Sequence, residues 1–283
     1  MRIIEKNTLN DTQGMRLTRM RFEAPAIARK ALPGQFILLM VHEKGERIPL
    51  TIVETDAAAG TLTLIFQEVG HTTKLLGKKN VGDSLYSLVG PLGHPSEIPR
   101  NERVILVGGG VGIAEILPVA RAVKAAGNHV VSVLGARTKD LLLLTREVGE
   151  TSDRLLICTD DGSAGEKGLV TDVLKKLLAE PEPTHRIFCV GPVPMMRAVS
   201  ETTRPSGIKT IVCLNTIMMD GTGMCGGCRL IEGGKARFCC VDGPDFDGHA
   251  VDFADLVQRQ RRFREEEMKS LDHACRLEGT AAP

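Results

Sequence analysis

The first hundred residues alternate short apolar or β-branched segments with turn residues. Segments of this length and spacing are typical of a small antiparallel barrel or sandwich. The sequence therefore predicts an N-terminal antiparallel β-domain over residues 1–100. Its expected strands are 35–41, 50–55, 61–69 and 84–89.

The pattern changes after residue 103, where the apolar run 104–107 leads into a turn rich in glycine, 108–112, and then into a helical pattern over 113–126. Further strands and helices alternate after this unit, which is typical of a parallel sheet with helical crossovers. The sequence predicts a doubly wound α/β domain over 101–208. Its later units are strands at 129–134, 155–159 and 187–190 and helices at 141–149 and 170–179.

Residues 209–250 are rich in glycine and cysteine, and we predict that they form a small separate module. The charged stretch 251–277 has the apolar spacing of a helix, so residues 251–283 are predicted to form a C-terminal helix and tail. The apolar positions of this helix are Phe253, Leu256, Val257, Phe263 and Leu271.

The composition of the chain limits the classes of partner and the location that we expect for it. Lysine and arginine number 36 against 35 acidic residues, and Tyr86 is the only tyrosine in a chain without tryptophan, so nucleic acid is a poor default partner. We see no apolar run of about 18 residues and no signal peptide, which predicts no membrane span and a cytoplasmic location. Eight cysteines in such a chain favour metal or redox chemistry over disulfides.

Two glycine-containing turns follow predicted strands. The first, at 108–112, departs from the G-x-G-x-x-G pattern because Ile113 stands where the third glycine would fall. The second begins at Gly191-Pro192, and both turns belong to the carboxyl edge of the sheet, where open α/β sheets bind ligands. A helix N-terminus there offers free N–H groups to a pyrophosphate. The alternative is that the glycines only allow tight packing of strand against helix.

Cysteines at 225, 228 and 240 form the sharpest local signal. Plant-type [2Fe–2S] sites use C-x4-C-x2-C and one distant cysteine, and aligning Cys225 and Cys228 with the second and third ligands puts Asp220 at the first. A carboxylate can bind iron, so Asp220 is a candidate ligand. Two alternatives remain open: zinc bound by Cys225, Cys228, Cys239 and Cys240, or free thiols.

Four segments resemble the nucleotide domain of the ferredoxin-NADP reductase superfamily. They are Gly-Gly-Gly-Val-Gly-Ile-Ala at 108–114, Gly-Ala-Arg-Thr at 135–138, Thr-Asp-Asp-Gly at 159–162 and Gly-Pro-x-Pro-Met at 191–195. Over essentially its whole length the chain is similar to the electron-transfer subunit of dihydroorotate dehydrogenase. It is more similar still to the small subunit of NADH-dependent ferredoxin:NADP oxidoreductase, also called the sulfide dehydrogenase small subunit.

The resemblance implies a role for each nucleotide turn. The dinucleotide phosphates would lie at Gly109, Gly110, Val111, Gly112 and Ile113, the nicotinamide beside Gly191, Pro192 and Met195, and the adenosine between Arg137 and Asp160. Glu115 stands where such domains lead us to expect a proline, which changes the local charge. Asp160-Asp161 and the resemblance favour NAD(H), whereas Arg137-Thr138-Lys139 would suit the phosphate of NADP(H), which is the alternative.

The resemblance also implies an FAD site in the β-domain. Its elements are Arg-x-Pro-x-Thr at 47–51, with the arginine one position earlier than usual, and Gly-x-Thr-Thr at 70–73. The alternative makes Arg47 a surface charge and the two threonines a helix cap. Hydride transfer to flavin needs no protein base, so no catalytic residue is predicted. The predicted FAD residues are Arg47, Pro49, Leu50, Thr51, Gln67, Gly70, Thr72 and Thr73.

For the cluster, the resembling small subunits show three cysteines and one aspartate, which implies Asp220, Cys225, Cys228 and Cys240 as ligands. Cys240 is preferred to Cys239 because it adjoins the Asp-Gly-Pro that dihydroorotate-type relatives carry. The implied function is an electron-transfer flavoprotein subunit that connects NAD(H), FAD and a [2Fe–2S] cluster with a larger flavin and iron–sulfur subunit.

That larger subunit would handle NADP(H) and ferredoxin in a heterodimer that carries out flavin-based bifurcation. Two alternatives are a dihydroorotate dehydrogenase electron-transfer subunit, whose cluster has four cysteine ligands, and a non-catalytic regulatory subunit with a vestigial flavin site.

Overall fold

The computed structural model describes residues 1–12 and 15–270, and its N-terminal part contains two antiparallel sheets. Their strand orders are β1-β2-β6-β5 and β4-β3-β7, and buried side chains of both sheets share one core that includes Phe22, Ile37 and Phe66. The predicted antiparallel β-domain is therefore confirmed. The strands are β1 Ile3–Thr12, β2 Met15–Glu23, β3 Phe36–Met40, β4 Ile48–Thr51, β5 Glu54–Asp56, β6 Thr61–Gln67 and β7 Ser87–Leu92, with helices α1 Pro25–Ala28 and α2 His71–Lys78.

The hairpin β1–β2 was not among the predicted strands, because its outer face carries many charged side chains. The inner face of β2 alternates as a half-buried strand does, with Thr18, Met20 and Phe22 buried. The outer face holds cross-strand ion pairs, among them Arg21 Nη1 to Glu5 Oε2 at 2.9 Å. These charges hide the apolar alternation from a search for β-branched segments.

A seven-stranded sheet with the order β11-β10-β9-β8-β12-β13-β16 forms the centre of the molecule. Its first six strands are parallel, and β16 pairs antiparallel with β13. In β8, Val104 and Leu106 pack in one core with α3, whereas Ile105 and Val107 pack in another with α5 and α6. The apolar run is continuous because helices cover both faces of the sheet, and the predicted doubly wound fold is confirmed.

The remaining elements follow in chain order. The strands are β8 Arg103–Gly109, β9 His129–Ala136, β10 Arg154–Thr159, β11 Glu166–Lys167, β12 Arg186–Val190, β13 Lys209–Cys213, β14 Arg229–Glu232, β15 Lys235–Phe238 and β16 Asp245–Asp247. The helices are α3 Gly112–Ala125, α4 Thr145–Glu150, α5 Val170–Leu178, α6 Val193–Thr203, α7 Cys239–Asp242 and α8 Phe253–Gln260.

The segment between β13 and β16 leaves the central sheet and returns to it. β13 and β16 lie within the predicted module 209–250, yet they pair with each other in the sheet of the nucleotide domain. Of the strands in this module, β14 and β15 form a separate hairpin that is not part of the central sheet. The predicted domain bounds, 1–100, 101–208, 209–250 and 251–283, stay predictions.

The C-terminal helix is shorter than the sequence indicates. Helix α8 ends at Gln260, a turn occupies 261–263, and residues 264–270 are helical again, so the continuous helix predicted from residue 251 is interrupted. The interruption follows Arg259 and Gln260, whose side chains donate to backbone carbonyls of the segment 215–227. Leu271 and the rest of the predicted helix lie outside the described residues. No helix in the described part of the chain has the length and apolar character that crossing a membrane requires.

Candidate nucleotide, flavin and iron–sulfur sites

A cavity of about 640 Å³ opens at the carboxyl edge of the central sheet. The glycine turn after β8, the Gly-Pro turn after β12 and the ends of β9 and β10 all border it. The structure thus brings together residues that are far apart in sequence. The predicted site residues that line the cavity are Gln67, Gly109, Gly110, Val111, Gly112, Arg137, Asp160, Gly191, Pro192 and Met195.

Close backbone packing requires the glycine at position 112. A Cβ atom there would lie 2.4 Å from the carbonyl oxygen of Val190, so the first turn of α3 passes directly against the end of β12. At Gly109 a Cβ would lie 2.3 Å from the sulfur of Met195, which is a movable side chain. Gly112 thus allows tight packing of helix against strand, and the same contact brings both turns to one cavity.

The same turn offers hydrogen-bond donors to a ligand. In the described part of the chain, the backbone N–H groups of Val111 and Gly112 donate to no other residue, and both residues line the cavity. Unpaired N–H groups at a helix start suit a phosphate, so the turn fits a dinucleotide. The side chain of Ile113 is fully buried and packs with Leu117 and Leu134 rather than lining the cavity.

Two charged side chains border the outer part of the cavity. Arg137 and Asp160 are both exposed, and the guanidinium of Arg137 lies 3.5 Å from the sulfur of Met15. The neighbouring Asp161 has a different role, because its carboxylate accepts hydrogen bonds from the N–H and hydroxyl of Ser163. These bonds lower the pKa of Asp161. Asp160 is thus the carboxylate free to face a nucleotide.

The first flavin element, on β4, reaches the cysteine-rich segment. Arg47 is exposed, and its Nη1 donates to the carbonyl oxygen of Met219 at 3.1 Å. Pro49 and Leu50 are half-buried, and Leu50 packs against the core of the β-domain. Thr51 borders a narrow space of about 10 Å³ between the β-domain and the central sheet, and its hydroxyl has no hydrogen-bond partner among the described residues.

The second flavin element is the start of α2. The hydroxyl of Thr73 accepts from the N–H of Gly70 at 3.0 Å and donates to the Gly70 carbonyl at 3.1 Å, so Thr73 caps the helix as the alternative reading expected. The buried Thr72 hydroxyl donates to Glu46 Oε2 at 2.7 Å. Of these threonines, Thr51 has a hydroxyl that is available to a flavin, whereas Thr73 already has partners in its own helix turn.

The cysteine-rich loop contains two cysteine sulfurs in contact and an aspartate whose carboxylate binds the backbone of the loop. Cys228 Sγ lies 3.2 Å from Cys240 Sγ, although twelve residues separate them. The carboxylate of Asp220 accepts from the N–H of Thr222 and of Cys225, both at 2.8 Å. The Thr222 N–H, followed by the Cys225 N–H, lowers the pKa of Asp220, so the carboxylate is held ionised.

Cys239 faces away from this pair. It is fully buried, and its Sγ donates to the carbonyl oxygen of Leu214 at 3.0 Å. Burial raises the pKa of its thiol to about 12. Among the described residues, no three His, Cys, Asp or Glu side chains converge as the ligands of one metal ion would. The direction of the Cys239 thiol disfavours the four-cysteine zinc site, whereas the Cys228–Cys240 pair and the contact of Asp220 with the Cys225 N–H are compatible with a binuclear cluster, whose two irons take separate ligand pairs.

The rest of the loop is shaped by glycines and anchored by α8. Gly223 has φ +82°, and a Cβ there would lie 2.9 Å from Val241, so a side chain would be strained as well as crowded. Arg259 Nη2 donates to the carbonyl oxygen of Gly226 at 3.2 Å, and Gln260 Nε2 donates to that of Asn215 at 2.7 Å. No local pattern in the sequence points to these two anchors, which act across more than 30 residues.

The glycine turns and the cysteine-rich loop lie within segments that match known families. Residues 106–201 match the sequence model of the oxidoreductase NAD-binding domain, and residues 215–252 match that of the iron–sulfur cluster binding domain of dihydroorotate dehydrogenase B. A protein of Thermotoga maritima described as a homolog of the dihydroorotate dehydrogenase B (NAD(+)) electron transfer subunit is 47% identical over 256 residues, 90% of each chain. This chain belongs to the dihydroorotate dehydrogenase B electron-transfer subunit family. The electron transfer subunit of Geobacillus thermodenitrificans is 34% identical over 78% of this chain and 86% of its own.

Solved structures place this family member within a larger fold group. The structure described as NADH-dependent reduced ferredoxin-NADP oxidoreductase, in a study of flavin-based electron bifurcation, superposes with a TM-score of 0.89 at 44% identity over 97% of both chains. The ferredoxin reductase of carbazole 1,9a-dioxygenase shares the fold, with a TM-score of 0.62 at 20% identity over 73% of this chain and 65% of that one. The chain is thus an oxidoreductase subunit, and the expected FAD, NAD(H), iron–sulfur cluster and partner subunit are confirmed for this family.

The close contact at Gly112 generates a first prediction. Gly112→Ala places a methyl group against the Val190 carbonyl, which we expect to cost about 1–3 kcal/mol and to weaken NAD⁺ binding by about tenfold or more, because the N–H groups of the turn are displaced. Binding is measured by calorimetry and stability by thermal unfolding.

The matched control is Gly149→Ala in α4, where the nearest atom, Leu155 Cδ2, lies at 3.4 Å. This variant should bind NAD⁺ normally and be as stable as the wild type or slightly more stable. Wild-type NAD⁺ affinity in Gly112→Ala would contradict the assignment of the turn.

Proposed function

We propose that this chain passes electrons between NAD(H), FAD and a [2Fe–2S] cluster, to or from a larger flavin and iron–sulfur subunit that handles NADP(H) and ferredoxin. The observation that carries the proposal is the meeting of the three sites. Asn215, which precedes the cysteine loop, lines the nucleotide cavity, and Arg47 of the flavin element donates to Met219 beside Asp220. The likeness to the bifurcating oxidoreductase structure over 97% of the chain supports the same partner.

The bound cofactors supply the redox chemistry: nicotinamide exchanges a hydride, flavin exchanges electrons in pairs or singly, and the cluster exchanges one electron. The chain's own contribution is to position them. The glycine turn would hold the nucleotide phosphates, and Gly191-Pro192 would border the nicotinamide. Thr51 would offer its hydroxyl to the flavin ring.

For the cluster, we propose Asp220 and Cys225 as one ligand pair and Cys228 and Cys240 as the other. The 3.2 Å separation of Cys228 and Cys240 and the contact of Asp220 with the Cys225 N–H support this pairing. Cys239 is excluded from the proposed set because its thiol is directed to the Leu214 carbonyl.

The second candidate function is electron transfer to a dihydroorotate dehydrogenase, which the 47% identical relative and the matched iron–sulfur domain support. Asp220 favours the first candidate, because a dihydroorotate-type cluster is expected to have a cysteine at that position. Isolation of the native complex decides between them: the first candidate requires a copurifying subunit with its own flavin and iron–sulfur clusters, and the second requires a dihydroorotate-oxidising subunit.

The electron-transfer function predicts NADH oxidation by the chain alone. Reconstituted with FAD and its cluster, the chain should oxidise NADH with an artificial acceptor such as ferricyanide, and kcat/KM should be several-fold higher for NADH than for NADPH because Asp160 repels a 2′-phosphate. Steady-state assays with both nucleotides measure this. Folded protein without flavin absorbance would support the vestigial-site alternative, and a preference for NADPH would reverse the assignment of Asp160.

The ligand set predicts opposite outcomes for substitutions at Asp220 and at Cys239. Asp220→Ala should lose most of its cluster, and Asp220→Cys should retain a [2Fe–2S] spectrum with an altered reduction potential, because ligand identity and cluster charge set that potential. Cys239→Ser keeps a donor for the Leu214 carbonyl and should retain iron and potential. Iron content, EPR and redox titration are the measurements. An Asp220→Ala protein with unchanged iron, EPR signal and potential would place the fourth ligand elsewhere.

A further inference from the structure

Glu115 occupies an unusual place at the junction of the β-domain, the central sheet and the cysteine-rich segment. It lies in the first turn of α3, three residues after Gly112, and lines the nucleotide cavity. It also borders the narrow space that Thr51 shares with Cys213 of β13 and Asp245 of β16. A single carboxyl group thus adjoins the glycine turn and the flavin element.

The Glu115 carboxyl has no hydrogen-bond or ion-pair partner among the described residues. The narrow space contains no lysine, arginine or histidine; its other titratable groups are Cys189, Cys213 and Asp245. The larger cavity adds Arg16, Arg137, Asp160 and Cys158 to these groups, and Arg16 is already paired with Asp11 at 2.7 Å.

This environment disfavours a negative charge on Glu115. Burial raises its pKa to about 7. Burial likewise raises the pKa of Asp245 to about 6, although the Ser96 hydroxyl donates to that carboxylate at 2.5 Å, and it raises the pKa of the Cys213 thiol well above its ordinary value. Near neutral pH, Glu115 is therefore divided between its two forms, and no hydrogen bond or ion pair with a described residue favours the ionised one.

A dinucleotide would add two phosphate charges to the glycine turn beside this group. Like charges at close range in a partly buried site raise a carboxyl pKa further. The pKa of Glu115 is then higher in the complex than in the free protein, so binding takes up a proton in the pH range between the two values. Linkage requires the nucleotide affinity to fall as pH rises through that range.

We propose that Glu115 is a proton-coupled positioning residue of the nucleotide site, which binds NAD(H) with its carboxyl group neutral and able to donate a hydrogen bond. This deepens the proposed function and rests on it only in taking NAD(H) as the ligand of the cavity. Coupling of this kind makes the occupancy of the site by NAD(H) depend on pH near neutrality, independently of any protonation step in the redox chemistry.

The test is NAD⁺ binding to the oxidised chain, loaded with FAD and its cluster, by calorimetry from about pH 6 to about pH 8.5 in buffers of different ionisation enthalpy. The wild type should take up a fraction of a proton near pH 7. Its affinity should fall above pH 7 by up to about tenfold per pH unit until the pKa of the complex is passed. No turnover is involved in this measurement.

Glu115→Gln, an isosteric neutral side chain, should bind NAD⁺ about as tightly as the wild type does at low pH. It should show no proton uptake and no fall in affinity above pH 7. The matched control is Asp245→Asn, which removes the other half-buried carboxyl of the narrow space and should keep the wild-type pH dependence. If that dependence disappears in Asp245→Asn and persists in Glu115→Gln, the proton belongs to Asp245 and the proposal is wrong.

Wild-type protein that binds NAD⁺ without proton uptake across this range also overturns the proposal, and this result needs no variant. Failure of the wild type to bind NAD⁺ at any pH is a different outcome, because it contradicts the proposed function itself. The two failures are thus distinguishable in one series of titrations.

Discussion

The architecture depends on the close approach of two backbones, the first turn of α3 and the end of β12. A side chain at position 112 would lie 2.4 Å from the Val190 carbonyl oxygen and 2.8 Å from Gly191 Cα, so only glycine allows the contact. Because of it, the turns after β8 and β12 border one cavity instead of two separate grooves. The same contact sets the direction of α3, and with it the position of Glu115 at the junction of the three parts of the chain.

The cysteine-rich loop is anchored at both ends because it connects two strands of the central sheet that are hydrogen-bonded to each other. β13 leads out to the loop, and β16 returns to pair with it, with Val212 opposite Phe246. Arg47 binds the loop from the β-domain side and Arg259 from the C-terminal helix. Electron transfer needs fixed distances between redox groups, and a loop anchored at both ends and from both sides is suited to keeping them.

Local sequence predicts those parts of the site whose chemistry is local. Burial of β8 on both faces makes its apolar run continuous, and the turn after it needs glycine. The sequence alone therefore predicts the strand and the turn. The sequence alone does not decide between Cys239 and Cys240, because both are buried. Only the fold directs the Cys239 thiol to the Leu214 carbonyl and places the Cys240 thiol beside Cys228. The sequence does not predict the role of Arg259 for the same reason, because only tertiary packing brings its carbonyl partners on the cysteine loop close to it.

The central proposal is that electrons pass between NADH and the cluster by way of the flavin. The direct measurement is anaerobic mixing of NADH with two preparations, one complete and one from which FAD has been removed while the cluster is retained, followed by freeze-quench EPR. The account predicts that the signal of the reduced cluster develops in the complete protein, stays absent without FAD and returns when FAD is restored. Reduction of the cluster at the same rate in the flavin-free protein would contradict it.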